Sequence, residues 1–305
     1  MNVPAPLHDW CESVVGPFRV LSEHGHNHGE AQVWRLGAGG KTAYLKIHRQ
    51  AGKWAGEVHA YERGWASCFG DYAPRLLAVR AEEPRAVLLT ELPGAPMEQA
   101  TLSLQQESAA WEVAGRALAL LHAPTNDWFG ACRRDGAPQG TTETDPARFV
   151  QETLNGYLER CSRRNALSRE EEAFARAKTA ACAPAFAGEK AVPCHRDYSP
   201  RNWLVTARDG VWRGVIDFEH ARWDVRARDL NRWWDHEFLE QPERAPAFFA
   251  GYQGGPPADR LRAQIQAMRL INALGGIGWS LEHDDAPFLV RNRATLARLQ
   301  QEPEP

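Results

Sequence analysis

The residues with the clearest capacity for chemistry lie in Cys194-His195-Arg196-Asp197-Tyr198-Ser199-Pro200-Arg201-Asn202-Trp203-Leu204-Val205 and, shortly after it, in Val215-Ile216-Asp217-Phe218-Glu219. Asp197 is followed five residues on by Asn202, and Asp217 ends a short apolar run fifteen residues after Asn202. Phosphoryl transfer asks for such a set. One carboxylate must sit beside the acceptor hydroxyl, and hard oxygen ligands must hold a Mg²⁺ that bridges the phosphates. Asp197 supplies the base, and Asn202 and Asp217 supply the metal ligands. A His-x-Asp triplet alone carries little. An HxDxxxxN run followed at this separation by an apolar-apolar-Asp strand end is specific.

Such a set needs elements to hold it, and the chain offers them. Ala31 to Leu36 reads as a strand, Gly37-Ala38-Gly39-Gly40 as a turn, and Thr42 to His48 as a second strand. Period-two alternation puts Ala43, Leu45 and Ile47 on one face of that strand and Tyr44, Lys46 and His48 on the other. Lys46 is then either a solvated edge charge or a phosphate ligand. Lys53 to Trp65 reads as a helix with Trp54, Val58, Tyr61 and Trp65 on its apolar stripe and Glu57 on the flank. A helix carboxylate that restrains a strand lysine is how kinases aim an ammonium at the α- and β-phosphates. The tract His24-Gly25-His26-Asn27-His28-Gly29 reads as a flexible hairpin covering the nucleotide, with a plain surface turn or a metal site as alternatives.

Val87 to Thr90 is a third apolar strand, and Glu91-Leu92-Pro93-Gly94-Ala95-Pro96 follows as a stiff linker. Its backbone groups suit the edge of a purine, although a simple strand exit reads the same way. Helices are expected from about Ser103 to His122, from Pro146 to Arg163 and from Ser168 to Cys182.

Composition narrows the classes. The chain has 305 residues, enough for two lobes, with 43% hydrophobic and 25% charged residues, which is globular usage. A net charge of -3 gives no general basic field for nucleic acid, and no apolar run approaches a bilayer's thickness, so neither nucleic acid nor membrane is an expected partner. The six cysteines are scattered singly without a CxxC pair, as free thiols in a reducing compartment would be. Met1 to Trp10 lacks a basic region followed by an apolar stretch, so a cytoplasmic location is expected.

Taken together, these segments resemble the aminoglycoside phosphotransferase family, whose members share a bilobal fold with protein kinases. The resemblance covers nearly the whole chain. It runs through Tyr44-Leu45-Lys46-Ile47-His48, Glu57-Val58-His59-Ala60-Tyr61-Glu62, Leu89-Thr90-Glu91-Leu92-Pro93-Gly94 and Ala119-Leu120-Leu121-His122 to the catalytic loop and Ile216-Asp217-Phe218-Glu219. It implies an α+β fold, with an N-terminal antiparallel sheet lobe carrying one helix over residues 1–91 and a mainly helical lobe over 92–305. It also implies ATP or GTP as donor with Mg²⁺, Lys46 on the α/β-phosphates and Glu57 orienting it. The backbone of Thr90 and Leu92 would face the purine, Asp197 would be the base, and Asn202 and Asp217 would hold the metal. Asp229, in Arg228-Asp229-Leu230, resembles the family aspartate that braces the catalytic loop. Arg196 stands where the family usually carries glycine, as a structural or substrate-contacting residue. Glu219 stands where protein kinases have the glycine of their DFG motif, and no APE follows, which disfavours protein substrates.

The acceptor is less sharply written. Between Glu219 and Arg244 there are seven acids and five arginines, only a mildly acidic balance for polycationic substrates. Trp233-Trp234-Asp235-His236-Glu237 and Trp279 through Asp285 combine aromatics with acids. Asp235, Glu237, Asp284 and Asp285 are therefore candidate contacts to a sugar ring and its amines, with helix packing the competing role for the tryptophans. The expectation is a small-molecule kinase that phosphorylates a hydroxyl of an antibiotic, aminoglycoside or other, and so inactivates it. A metabolic acceptor of the sugar, choline or homoserine type is the alternative. A non-catalytic nucleotide-binding regulator is disfavoured, because Lys46, Asp197, Asn202 and Asp217 are all present.

Overall fold

The computed structural model describes residues 3–25 and 31–302. In chain order its elements are α1 (Ala5–Val15), β1 (Phe18–Gly25), β2 (Ala31–Ala38), β3 (Lys41–His48), α2 (Ala51–Glu62), β4 (Leu76–Arg80), β5 (Ala86–Thr90), β6 (Ala95–Pro96), α3 (Leu104–Leu121), α4 (Pro146–Ser162), α5 (Arg169–Cys182), β7 (Val192–Cys194), β8 (Trp203–Val205), β9 (Trp212–Val215), β10 (Arg222–Asp224), α6 (Glu237–Glu240), α7 (Arg244–Gln253), α8 (Asp259–His283) and α9 (Ala286–Gln301). Short 3₁₀ turns lie between some of them. Two compact units emerge from the packing. The first gathers Met1–Ala110, Ala131–Gly140 and His195–Arg222; the second gathers Trp111–Gly130, Thr141–Cys194 and Trp223–Pro305.

The first unit is built on a five-stranded antiparallel sheet in the order β1-β2-β3-β5-β4. The alternation read in β3 decides what covers each face. Leu45 and Ile47 pack with Trp34, Leu36 and Leu88 against Leu7 and Cys11 of α1. Tyr44 packs on the other side, where Trp54 and Val58 of α2 meet Val87 and Leu89 of β5. Each such side chain taken from water contributes about 1.5–3 kcal/mol, so the two helices hold the sheet from both faces. Lys46 sits mid-sheet, paired across the ladders with Val33 and Val87. The expected turn at Gly37 begins later, because Gly37 and Ala38 still pair with Thr42 and Lys41. The expected nucleotide-covering hairpin falls largely on residues 26–30, which lie outside the described residues; His24, next to last in β1, pairs with Val33.

The same unit contains a smaller antiparallel sheet in the order β6-β8-β9. Trp203 pairs with Val215, and Ile216 N–H donates to Asn202 O at 3.0 Å. This hairpin brings the segment after Asn202 alongside the segment before Asp217. The linker expected at residues 91–96 thus ends in a strand, with Ala95 opposite Val205.

The second unit is mainly helical. Asp145 caps α4 by accepting the Arg148 N–H, with Pro146 at the first helical position, and Ser168 and Glu171 form a capping box at the start of α5. The 25-residue α8 is buried along much of its length. Its Gly275 lies against the Tyr157 ring, and a Cβ at Gly276 would collide with the Asn292 amide of α9 at 2.2 Å. Trp233 packs edge-on to Trp111 at 5.6 Å and lies 4.4 Å from Phe248, which makes it a core residue. Trp279 stacks on His283 at 4.3 Å. Among the described residues no helix is long and apolar enough to cross a membrane, and no cysteine forms a disulfide.

Candidate active site

In the first unit one ammonium is surrounded by three carboxylates. Lys46 Nζ lies 2.5 Å from Asp217 Oδ1, 2.9 Å from Glu219 Oε2 and 3.0 Å from Glu57 Oε2. The Lys46 side chain is only 8% exposed and that of Glu57 is wholly buried. Burial works against the lysine's charge, but Asp217, Glu57 and Glu219 overcome it and hold the ammonium well above its ordinary pKa. Burial likewise opposes the charge on Glu57 and Asp217. Lys46 outweighs it in both, helped at Glu57 by His48, so both carboxyls sit below their usual range. The strand lysine and helix glutamate expected from the sequence are therefore brought together, and Asp217 joins them.

Two neighbours on the same elements were not anticipated as site residues. His48 Nε2 is 2.8 Å from Glu57 Oε2, in ion-pair range although not aligned as a hydrogen bond, and His48 Nδ1 is 4.0 Å from Glu219 Oε2. Lys53, in the first turn of α2, reaches Glu219 Oε1 and His220 Nε2 at 3.5 and 3.4 Å. Burial, with Lys53 and Arg196 nearby, pushes the His220 imidazole down to about 3, so it is neutral at ordinary pH. The signal for His48 was in the sequence, since the β3 alternation placed it on the Lys46 face. The placements of Lys53 and Glu219 depend on contacts between distant segments.

The catalytic loop is held by its own side chains. Asn202 Nδ2 donates to Asp197 O and to Asp197 Oδ2, both at 2.9 Å. Arg201 donates to the same Oδ2 through Nε at 3.2 Å and through Nη2. His195 takes Asp197 N–H on Nδ1 at 3.3 Å, and its Nε2–H faces Ile216 O at 3.0 Å, which ties the loop to the segment before Asp217. His195 also lies 4.9 Å from the Phe218 ring, as a packing residue would. Arg196 and Asp217 adopt φ values of +67° and +72°, each at a cost of about 1–2 kcal/mol for a residue with a Cβ. Glycine takes this conformation freely, which explains why it would be at home at Arg196.

The donor chemistry suits Mg²⁺. Because Asn202 spends its Nδ2 hydrogens on Asp197, its amide oxygen is the group it has to offer a cation. Asp217 is 34% exposed on its side chain while its Oδ1 holds Lys46, so this carboxylate opens toward solvent. Asn202 and Asp217 could therefore hold the metal, with Glu219 as a further oxygen donor beside them.

Thr90 ends β5, donating its N–H to Arg75 O at 2.9 Å and accepting Arg75 N–H on Oγ1 at 2.8 Å. The backbone group it has to offer a ligand is thus its carbonyl. Thr90 and Leu92 line a cleft of about 370 Å³ together with Tyr72 and Arg213. A second cleft, about 600 Å³, lies against α2 between Trp54 and Arg134 and contains none of the candidate catalytic residues.

The remaining expected residues lie in the second unit. Asp229 Oδ2 is 3.2 Å from His122 Nε2, and His122 Nδ1 is 2.8 Å from the Tyr252 hydroxyl, all three buried. Asp235 accepts from Arg269 Nη2 at 2.7 Å and Nε at 2.9 Å, and Arg298 adds a contact at 3.3 Å. Asp285 caps α9 by accepting Phe288 N–H at 3.0 Å, and Asp284 is the left-handed residue that ends α8. Glu237 opens α6; burial raises its carboxyl pKa, and its Oε2 has no hydrogen-bond partner among the described residues.

The model of the phosphotransferase enzyme family matches residues 23–264, the stretch that carries all of the geometry from Lys46 to Asp229. The chain belongs to that family. It is a phosphotransferase. Its fold is that of the kinase-like aminoglycoside phosphotransferases. A ternary complex of a thermostable aminoglycoside phosphotransferase APH(4)-Ia mutant with ADP and hygromycin B superposes with a TM-score of 0.73 at 12% identity, covering 97% of this chain and 98% of that one. The GDP complex of aminoglycoside 2'-phosphotransferase-IIIa gives 0.68 at 12% identity, covering 97% and 99%. The gentamicin complex of APH(2")-IIa gives 0.62 at 13% identity, covering 98% and 97%. A search of curated proteins by sequence found no match. At these identities the structural likeness speaks to the fold, and the family match to the class of enzyme.

Proposed function

We propose that this phosphotransferase is a small-molecule kinase that moves the γ-phosphoryl group of ATP or GTP onto a hydroxyl of an antibiotic. The observation that carries the reading is the paired arrangement within one compact unit. Asp197 is fixed by Asn202 at 2.9 Å, and Lys46 is fixed between Glu57 and Asp217 at 3.0 and 2.5 Å. The fold neighbours were crystallised with ADP, AMP-PNP or GDP, which supports a nucleoside triphosphate donor.

In this reading Asp197 orients the acceptor hydroxyl and takes its proton. The transition state is loose, so little deprotonation is needed early and orientation is much of the work. Lys46 neutralises the α/β-phosphates and Glu57 keeps it aimed. Thr90 and Leu92 offer backbone to the purine. Asn202 and Asp217 would hold Mg²⁺, which supplies stabilisation of charge on the transferring group.

The neighbours' complexes with hygromycin B, kanamycin and gentamicin support an antibiotic acceptor. The acids favour one with few amines, because Asp235 is already committed to Arg269 and Asp285 caps α9, leaving Glu237 and Asp284 as candidate contacts. The test is phosphate incorporation from labelled ATP and GTP into a panel of aminoglycosides, less cationic antibiotics, sugars, choline and homoserine. Transfer to an antibiotic supports the proposal. Transfer confined to a metabolite, or none with nucleotide bound, overturns the antibiotic or the kinase assignment respectively.

A further inference from the structure

Strand β3 presents two nitrogen donors to α2, not one. Lys46 and His48 are two residues apart on the strand, so the pleat turns both toward the face that α2 covers. Both reach the same atom, since Glu57 Oε2 lies 3.0 Å from Lys46 Nζ and 2.8 Å from His48 Nε2. His48 is as enclosed as its partner, with a side chain 1% exposed against 0% for Glu57. Its other nitrogen faces Glu219, the carboxylate 2.9 Å from Lys46 Nζ. The roles assigned above use Lys46 and Glu57 and leave His48 without one.

A ring nitrogen this close to a carboxylate oxygen carries its hydrogen, because a lone pair there would face an anion. A carboxylate taken wholly out of water needs more than one donor to offset its lost hydration. The lysine ammonium has three hydrogens to distribute. With His48 serving Glu57, Lys46 need commit only one of them to the helix, leaving the others to be shared among Asp217, Glu219 and the phosphate oxygens. Lys46 Nζ already lies 3.3 Å from Oε1 and 3.0 Å from Oε2, so without His48 it would be left to serve both oxygens alone. We propose that His48 is a positioning residue for nucleotide binding: it holds Glu57 through Nε2 and thereby keeps Lys46 available to the phosphates. The inference rests on Lys46 being a phosphate ligand.

The test is calorimetric titration of the full-length protein with ATP and Mg²⁺, accompanied by KM and kcat for the nucleotide. His48→Leu should weaken nucleotide binding about 10-fold, as for leaving a buried carboxylate short of a polar partner. His48→Gln, whose amide nitrogen reaches the place of Nε2, should stay within about threefold of the native protein, whereas the shorter His48→Asn should not. In a Glu57→Ala background His48→Leu should add less than about twofold. Unchanged affinity in His48→Leu, or a full additive loss without Glu57, overturns the inference. Should His48→Leu fail to fold, equal affinities for the Gln and Asn variants overturn it instead. Lys46→Ala separates the premises. If it leaves nucleotide affinity intact, the phosphate role of Lys46 falls; if it weakens binding while His48→Leu does not, only the role of His48 falls.

Discussion

Lys46 Nζ lies closer to Asp217 Oδ1, at 2.5 Å, than to either oxygen of Glu57, at 3.0 and 3.3 Å. One ammonium therefore bridges Asp217 and Glu57 of α2, although 171 residues separate Lys46 from Asp217 in the chain. Asp217→Asn tests the metal-side partner and suits its backbone, since asparagine tolerates positive φ better than most residues. Turnover should fall about 10²–10³-fold, the scale of losing one electrostatic stabiliser of the transition state. The melting temperature should stay near that of the native protein. A folded variant with native turnover removes Asp217 from the site.

The helix partner is tested by coupling. Lys46→Ala should lower turnover, and adding Glu57→Ala should lower it little further, because the two residues act as one unit. A coupling energy of about 0.5–3 kcal/mol is expected from the double-mutant cycle. Strictly additive losses would show that the pair does not act jointly.

Asp235 should report on stability. Its carboxylate and the Arg269 guanidinium are both buried and bonded twice, so Asp235→Ala leaves Arg269 with Glu302 as its remaining acidic partner among the described residues. Removing one partner of a buried pair costs about 3–5 kcal/mol. Chemical denaturation should show that loss while nucleotide affinity is unchanged. A variant as stable as the native protein, with weakened acceptor binding, would return Asp235 to the acceptor.

Glu237 should make stability pH-dependent. Burial raises its carboxyl pKa in the folded protein, against the opposing pull of Arg291, Arg244 and Arg232. A raised folded pKa means that the native state binds the proton more tightly than the unfolded chain. The resulting stability is whole below the ordinary carboxylate range and is lost as pH rises through the raised value. Glu237→Gln should therefore be more stable than the native protein at neutral pH and show a flatter melting profile above about pH 4.5. A profile parallel to the native one contradicts this.

The chain makes some of this plain and hides the rest for physical reasons. The β3 alternation follows from local periodicity, and so does a helix carrying Glu57, which runs over Ala51–Glu62 where Lys53 to Trp65 is expected. The capped starts of α4 and α5 are equally local. Helix α8 carries Gly275, Gly276 and Gly278 in its interior, where Tyr157, Asn292 and Arg160 come close. Glu219 joins Lys46 through tertiary geometry that spacing does not encode, whereas Arg201 reaches Asp197 from only four residues along the same loop. Asp235 looked like a binding acid because its arginine partners are 34 and 63 residues away.

The most direct measurement concerns Asp197, whose Oδ2 accepts from Asn202 Nδ2 at 2.9 Å and from Arg201. Asp197→Asn keeps the shape of the side chain and removes both its charge and its ability to take a proton. With the acceptor found by the phosphorylation screen, kcat should fall about 10²–10⁴-fold, as for loss of a positioned general base. Calorimetry with Mg²⁺ present should show nucleotide binding nearly unchanged, because Lys46 and Asp217, not Asp197, are assigned to the phosphates. Phosphorylation at close to the native rate would contradict Asp197 as the base, and loss of nucleotide binding as well would contradict the separation of its role from that of the phosphate-binding residues.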